Sequence, residues 1–123
     1  MINRRQQGTE YEMIVASVLE KHGYQILKRN YRCRYGEIDI IALDVDDLVF
    51  IEVKYRSKEE HGKPEEAVNQ RKQQVICRVA DDFLMRHHEY ENYQIRFDVA
   101  AILGNTLRVY KNAFEYQWRQ KWK

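Results

Sequence analysis

The sequence predicts an α/β domain, a mixed β-sheet flanked by helices, and three patterns carry that prediction. Two apolar, β-branched runs, residues 38–43 and 48–53, are joined by the polar turn Asp44-Val45-Asp46-Asp47. A stretch with helical apolar period lies on each side of this hairpin. A last pair of strands follows, hinged at Gly104-Asn105.

Each element has its own signature. Tyr11, Ile14, Val15, Val18 and Leu19 fall at helical spacing and end before Gly23, a natural residue just past a helix C-terminus. Residues 24–31 read as a short strand. In the hairpin both faces of both strands are mostly apolar, so it should be central and covered on two sides. Residues 57–64, holding Gly62 and Pro64, read as a polar loop. A second helix is expected from Asn69 as N-cap, with Val75, Ile76, Val79, Ala80, Phe83 and Leu84 facing the core. Ile95, Phe97, Val99 and Ala101 alternate as a strand, and residues 107–110 return beside it.

With 123 residues, the chain has enough length for one core but not two. We read residues 1–114 as a single domain and 115–123 as a basic, aromatic tail. Hydrophobic residues at 44% and charged ones at 33% exclude a disordered chain. A net charge of +2 excludes a global polycation, so any nucleic-acid surface must come from local clustering. Cys33 and Cys77 lack metal-ligand spacing and read as free thiols of a reducing compartment. The start Met-Ile-Asn-Arg-Arg-Gln-Gln has no apolar signal core, and no run approaches a membrane span. The expected location is the cytoplasm, without a membrane partner.

The hairpin carries the chemistry. If its turn is centred between Val45 and Asp46, Asp39 lies opposite Glu52 and Glu37 opposite Lys54. Alternation then places all four on one face, continued by Ile41, Leu43, Leu48 and Phe50. Opposed carboxylates have Cβ atoms about 4.5–5.5 Å apart. At an effective dielectric near 20 they repel by roughly 3 kcal/mol. A hard divalent cation removes the conflict, and Lys54 stands ready to assist a water or a phosphate. The bland alternative is a solvated charge ladder, with Lys54 neutralising Glu37 and Glu52. A one-residue slip of register would also separate the acids.

Gly36-Glu37-Ile38-Asp39-Ile40-Ile41-Ala42 and Leu48-Val49-Phe50-Ile51-Glu52-Val53-Lys54-Tyr55-Arg56 resemble the signature of the YraN-type family of small bacterial proteins. Gly23-Tyr24, Arg29-Asn30, Glu66-Ala67-Val68, Lys72-Gln73, Arg96-Phe97-Asp98-Val99 and Asn112-Ala113-Phe114 extend the likeness from Gly8 to Phe114. Tyr11 and Tyr35 stand where that family often has glycine. The resemblance implies membership of the PD-(D/E)xK superfamily and a restriction-endonuclease-like core, a mixed central β-sheet flanked by α-helices. It implies a divalent-metal-dependent endonuclease that hydrolyses phosphodiester bonds of DNA, structured or branched DNA included. Asp39, Glu52 and Lys54 match the catalytic motif. Asp39, Glu52, the Val53 carbonyl and Glu12 are the implied ligands of Mg²⁺ or Mn²⁺. The alternative is a catalytically silent nucleic-acid-binding module on the same fold. DNA is the expected partner ahead of RNA. Resolvase-like enzymes act as dimers, so the resemblance admits a homodimer, although no interface stripe is evident.

Several of these residues have a second reading. Thr9-x-x-Glu12 is also a capping box, which would make Glu12 a helix cap. Glu37 reads as a partner of Lys54. Lys72 is either a lysine snorkelling from the core stripe or a phosphate contact. Lys72, Arg56 and Arg34 are the candidate nucleic-acid contacts. Asp98 reads as a structural, hydrogen-bonded carboxylate. His87 and His88 end the second helix, where cations are favoured, and His61 belongs to the polar loop. In the tail, Trp118 and Trp122 sit among basic residues and could stack on bases or dock on the domain.

Overall fold

In the computed structural model, which describes residues 4–56 and 68–117, the apolar hairpin is the middle of a five-stranded sheet. The elements in chain order are α1 (Arg4–Lys21), β1 (Gln25–Cys33), β2 (Gly36–Asp44), β3 (Asp47–Arg56), α2 (Gln70–Arg86), β4 (Gln94–Leu103) and β5 (Thr106–Phe114). A 3-10 turn at His88–Tyr90 lies between α2 and β4. The strands lie side by side in sequence order; β3 and β4 pair parallel and all other neighbours antiparallel. The mixed α/β architecture read from the sequence is therefore the one observed. The expectations for the 57–64 loop, His61, Trp118 and Trp122 fall outside the described residues.

Helix α1 starts earlier than its apolar stripe suggests. Thr9 lies inside the helix, five residues past its first residue Arg4, so the capping-box reading of Thr9 and Glu12 is wrong. The polar segment before Tyr11 carries helix formers but no apolar period, so pattern alone could not show the start. The C-terminus is a Schellman motif. Gly23 takes φ +93°, its N–H bonds to the Glu20 carbonyl, and the Tyr24 N–H reaches the Leu19 carbonyl. The buried face is Val15, Ala16 and Leu19, while Ile14 is exposed, contrary to its place in the predicted stripe. In α2 the expectation holds closely. Asn69 is the N-cap, its Oδ1 accepting from the Lys72 N–H at 2.8 Å, and Ile76, Cys77, Val79, Ala80 and Phe83 are buried.

The helices cover opposite faces of the sheet. Leu48, Phe50, Phe97 and Val99 pack with α2, whereas Val49, Ile51, Ala100 and Ile102 pack with α1. Both cysteines are free, and burial pushes the Cys77 thiol up to about 11, which makes it inert at neutral pH. Among the described residues no helix is long and apolar enough to cross a membrane.

The hairpin turn contains a local conflict. Val45, 84% exposed, has φ +56°, a left-handed conformation that a β-branched residue adopts at a cost of roughly 1–2 kcal/mol. Asparagine tolerates that region, and nothing packs on this side chain. Val45→Asn is expected to raise unfolding free energy by about 1 kcal/mol in urea denaturation. A loss of stability would show that the turn is not strained.

A clamp of charges fixes the far end of the sheet. Arg96 on β4 forks onto Asp98 at 3.0 and 2.9 Å and reaches Asp44 at 2.9 Å, Asp47 at 2.8 Å and the Tyr24 hydroxyl at 3.0 Å. Asp98 is fully buried and also accepts the Asn112 N–H at 2.9 Å, which meets it through the bulge that Asn112, at φ +55°, makes in β5. Burial works to lower the Arg96 pKa, but the hydrogen bonds and charge of Asp98, helped by Asp44, outweigh it and raise it. The structural reading of Asp98 agrees with this arrangement. Among the described residues no buried side-chain polar atom lacks a partner.

Candidate active site

The sheet opens into a fork where the acids lie. The β2–β3 ladder runs from Asp44↔Asp47 to Ile40↔Ile51, the register expected from the turn, and stops there. Asp39 and Glu52 would be its next pair. Instead the Val53 N–H turns to the Asp39 carboxylate at 2.8 Å. A strand residue points its N–H and C=O to the same edge, so the Val53 carbonyl also faces the fork. Alternation breaks at this point in β2. Ile38 and Ile41 both pack under α2, while Ile40 and Ala42 lie under α1. Two backbone features accompany the break. Gly36 sits so close to α2 that a Cβ would stand 2.8 Å from Val75 Cγ1. Asn30, facing Asp39 from β1, takes φ +55°.

Asp39 and Glu52 are 8% and 9% exposed. Asp39 acts on Glu52 on one side and on Glu12 of α1 on the other. Lys72 of α2 brings its Nζ to 3.9 Å from Glu52 Oε2. Burial, then the charge of Asp39 and its hydrogen bond, push the Glu52 pKa up to about 8, against the opposing pull of Lys72 and Lys54. Burial, the hydrogen bond with Asp39 and the Asp39 charge push Glu12 up to about 7, while a hydrogen bond with Asn30 opposes them. At the mouth, Tyr11 and Tyr55 stack with ring centroids 4.8 Å apart and planes 6° from parallel.

The structure thus gathers Glu12, Asp39, Glu52, Lys54 and Lys72, with the Val53 backbone, at one fork. Glu37 is different. It forms a 2.9 Å ion pair with Arg32, not the expected pair with Lys54. Arg34 lies at the β1–β2 turn, away from the fork, held by the Tyr35 hydroxyl at 2.6 Å. Arg56 ends β3, and its side chain is outside the described atoms. Asn30 was not singled out for the site from the sequence. An asparagine inside a strand pattern was its one signal, since asparagine tolerates a left-handed backbone and strands usually lack it.

This acid cluster is costly for folding and suited to a ligand. Both raised carboxyls bind protons in the folded state that they release when unfolded near 4.5. Stability should therefore fall as pH rises from about 4.5 to about 8. Burial works to raise the Asp44 pKa, but Arg96 and Lys111 hold it below its ordinary value, so Asp44 titrates beneath this window. In EDTA, melting temperature should decline from pH 5 to pH 8.5, and Glu52→Gln should flatten the decline. A flat wild-type profile would contradict the raised pKa values of Glu12 and Glu52.

The donors at the fork are carboxylate oxygens and a backbone carbonyl, the chemistry that suits Mg²⁺ or Mn²⁺. Among the described residues no three His, Cys, Asp or Glu side chains form a ready-made cage.

Fold and fork together define a mixed-sheet α/β domain with a buried carboxylate cluster between diverging strands. The chain belongs to a family described as Uncharacterised protein family UPF0102, whose model matches residues 11–102. It is 46% identical to a UPF0102 protein of Lachnoclostridium phytofermentans, over 93% of this chain and 97% of that one. It is 42% identical to UPF0102 proteins of Fusobacterium nucleatum, over 90% of this chain and 92% of the relative, and of Clostridium botulinum, over 88% and 93%. This is the YraN-type family that the hairpin motifs resemble.

Proposed function

We propose that this protein is a divalent-metal-dependent nuclease with a restriction-endonuclease-like core, hydrolysing phosphodiester bonds of DNA. One observation carries the reading: Asp39 and Glu52, both buried, come together at a strand fork, with Lys72 Nζ 3.9 Å from Glu52 and the charge of Lys54 acting on it. A protein built only for stability would gain by replacing one of these acids. The spacing of Asp39 and the Glu52-x-Lys54 element on adjacent strands supports the same assignment.

Phosphodiester hydrolysis is chiefly a matter of positioning and charge. A bound Mg²⁺ or Mn²⁺ would polarise the phosphoryl oxygen and make its water a better nucleophile. Asp39 and Glu52, with the Val53 carbonyl, would hold it. The Val53 N–H fixes the Asp39 carboxylate in position. Lys72 and Lys54 lower the Glu52 pKa and so favour its ionised, ligating form. Lys54 supplies positive charge where the phosphate gains negative charge. Glu12 joins Asp39 from α1 and can take up a proton as the site ionises.

The test is cleavage of labelled single-stranded, duplex and branched DNA by purified protein in Mg²⁺ or Mn²⁺. Cleavage that EDTA abolishes and that Lys54→Ala lowers by at least about 100-fold is expected. Activity persisting in Lys54→Ala would mean a contaminant and defeat the proposal. Salt-dependent binding without cleavage on all substrates would assign the silent binding module instead.

A further inference from the structure

A groove lies between the β1–β2 turn and the flank of α2, one step beyond the acid fork. Its volume is about 910 Å³, and its walls include Arg32, Arg34, Tyr35, Arg78, Met85 and Arg86. The acids in its lining are Asp81 and Asp82. Asp82 accepts from the Tyr31 hydroxyl at 2.6 Å and from Arg86 at 3.1 Å, and Asp81 accepts from the Tyr116 hydroxyl. Against these two acids stand four guanidinium groups. Among the described residues, with Glu37 counted because it pairs with Arg32, the formal charge of the groove is positive.

The groove and the acid fork share one helix, α2. Lys72, Val75, Val79, Asp82 and Arg86 fall at helical spacing along one flank of α2. Lys72 touches Glu52 at one end of this flank, and Arg86 lines the groove at the other, about 21 Å away at 1.5 Å per residue. Between them Gly36 is pressed against Val75, so the turn is locked onto the helix. The outer wall carries a stacking surface. Arg34 lies over the Tyr35 ring at 4.8 Å, and Tyr35 is 40% exposed.

We infer that this groove binds an unpaired nucleic-acid strand, its phosphates on the arginine wall and a base stacked on the Tyr35–Arg34 pair. Positive walls attract the phosphates, and an aromatic face with a guanidinium accepts any base that is not already stacked in a duplex. Binding in the groove does not rest on the nuclease reading.

The test is fluorescence anisotropy of a labelled 12-nucleotide single-stranded DNA and its duplex, with the full chain in EDTA. Tyr35→Ala and Arg34→Ala should each weaken single-strand binding at least about fivefold. Arg34→Ala should reduce the log–log salt slope by about 0.7. Tyr35→Phe should bind as wild type, and duplex affinity should change less than about twofold in every variant. Melting curves matching wild type show that these surface variants fold. Unchanged single-strand binding in both alanine variants, or equal losses for strand and duplex, overturns the inference. Wild-type hydrolysis of bis(p-nitrophenyl) phosphate in Mn²⁺, a substrate too small to span the groove, reports on the fork alone. Failure of that reaction counts against the nuclease reading and leaves the groove to the binding result.

Discussion

Replacing Arg96 by methionine is expected to cost about 3–5 kcal/mol of stability, the range for removing one partner from a buried ion pair. Its side chain is 13% exposed, and its guanidinium meets Asp98, Asp44 and Asp47 together. Asp98 is fully buried, so no water replaces what it loses. Asp44 and Asp47 flank the β2–β3 turn, Tyr24 follows α1, and Asp98 holds the β5 bulge through Asn112. One side chain therefore ties four parts of the fold together. Against a total of roughly 5–15 kcal/mol for a domain, the loss decides whether the protein folds at 37 °C. Adding Asp98→Asn removes the stranded charge yet keeps an acceptor for the Asn112 N–H. The double variant should recover at least about 1 kcal/mol over Arg96→Met alone. Urea denaturation of both measures this, and a single variant within 1 kcal/mol of wild type would show that the clamp adds little.

The sequence showed Asp98 as a structural carboxylate but not its partners, and the Arg96-Phe97-Asp98-Val99 run served otherwise only as a motif match. The partners of Arg96 lie 49 to 72 residues away for Asp47, Asp44 and Tyr24, and no local pattern encodes such a meeting. The hairpin was legible for the opposite reason. Its turn is four residues long and both strands are apolar, so the register from Asp44↔Asp47 to Ile40↔Ile51 follows from local chemistry. Simple alternation then failed at Asp39. The strand changes face there, beside a close-packed Gly36 and a left-handed Asn30, both consequences of packing against other elements. Glu37 was misassigned for that reason: Arg32, its ladder neighbour on β1, claims it. Lys72 had two readings that sequence could not separate, because a snorkelling lysine and a site lysine occupy the same helical position. In the fold its Nζ lies 3.9 Å from Glu52.

Asp39→Asn should move stability and activity in opposite directions. The amide keeps an oxygen for the Val53 N–H, so the fork's geometry survives. It removes the charge that both Glu12 and Glu52 face. Two carboxylates about 5 Å apart repel by roughly 3 kcal/mol at an effective dielectric near 20. Part of that is already avoided by protonation, so the expected gain in EDTA at pH 8 is about 1–2 kcal/mol. The gain should shrink toward pH 5, where Glu12 and Glu52 are protonated in the wild type as well. Cleavage of DNA in Mg²⁺ should fall by at least about 100-fold, the upper end of what losing a mere supporting contact to a ligand costs. A structural salt-bridge acid would behave otherwise, since its loss lowers stability and leaves catalysis intact. Urea denaturation at the two pH values, paired with a cleavage assay, separates the cases. Destabilisation at pH 8 with undiminished cleavage would remove Asp39 from the site, and with it the reason for two acids to share a buried fork.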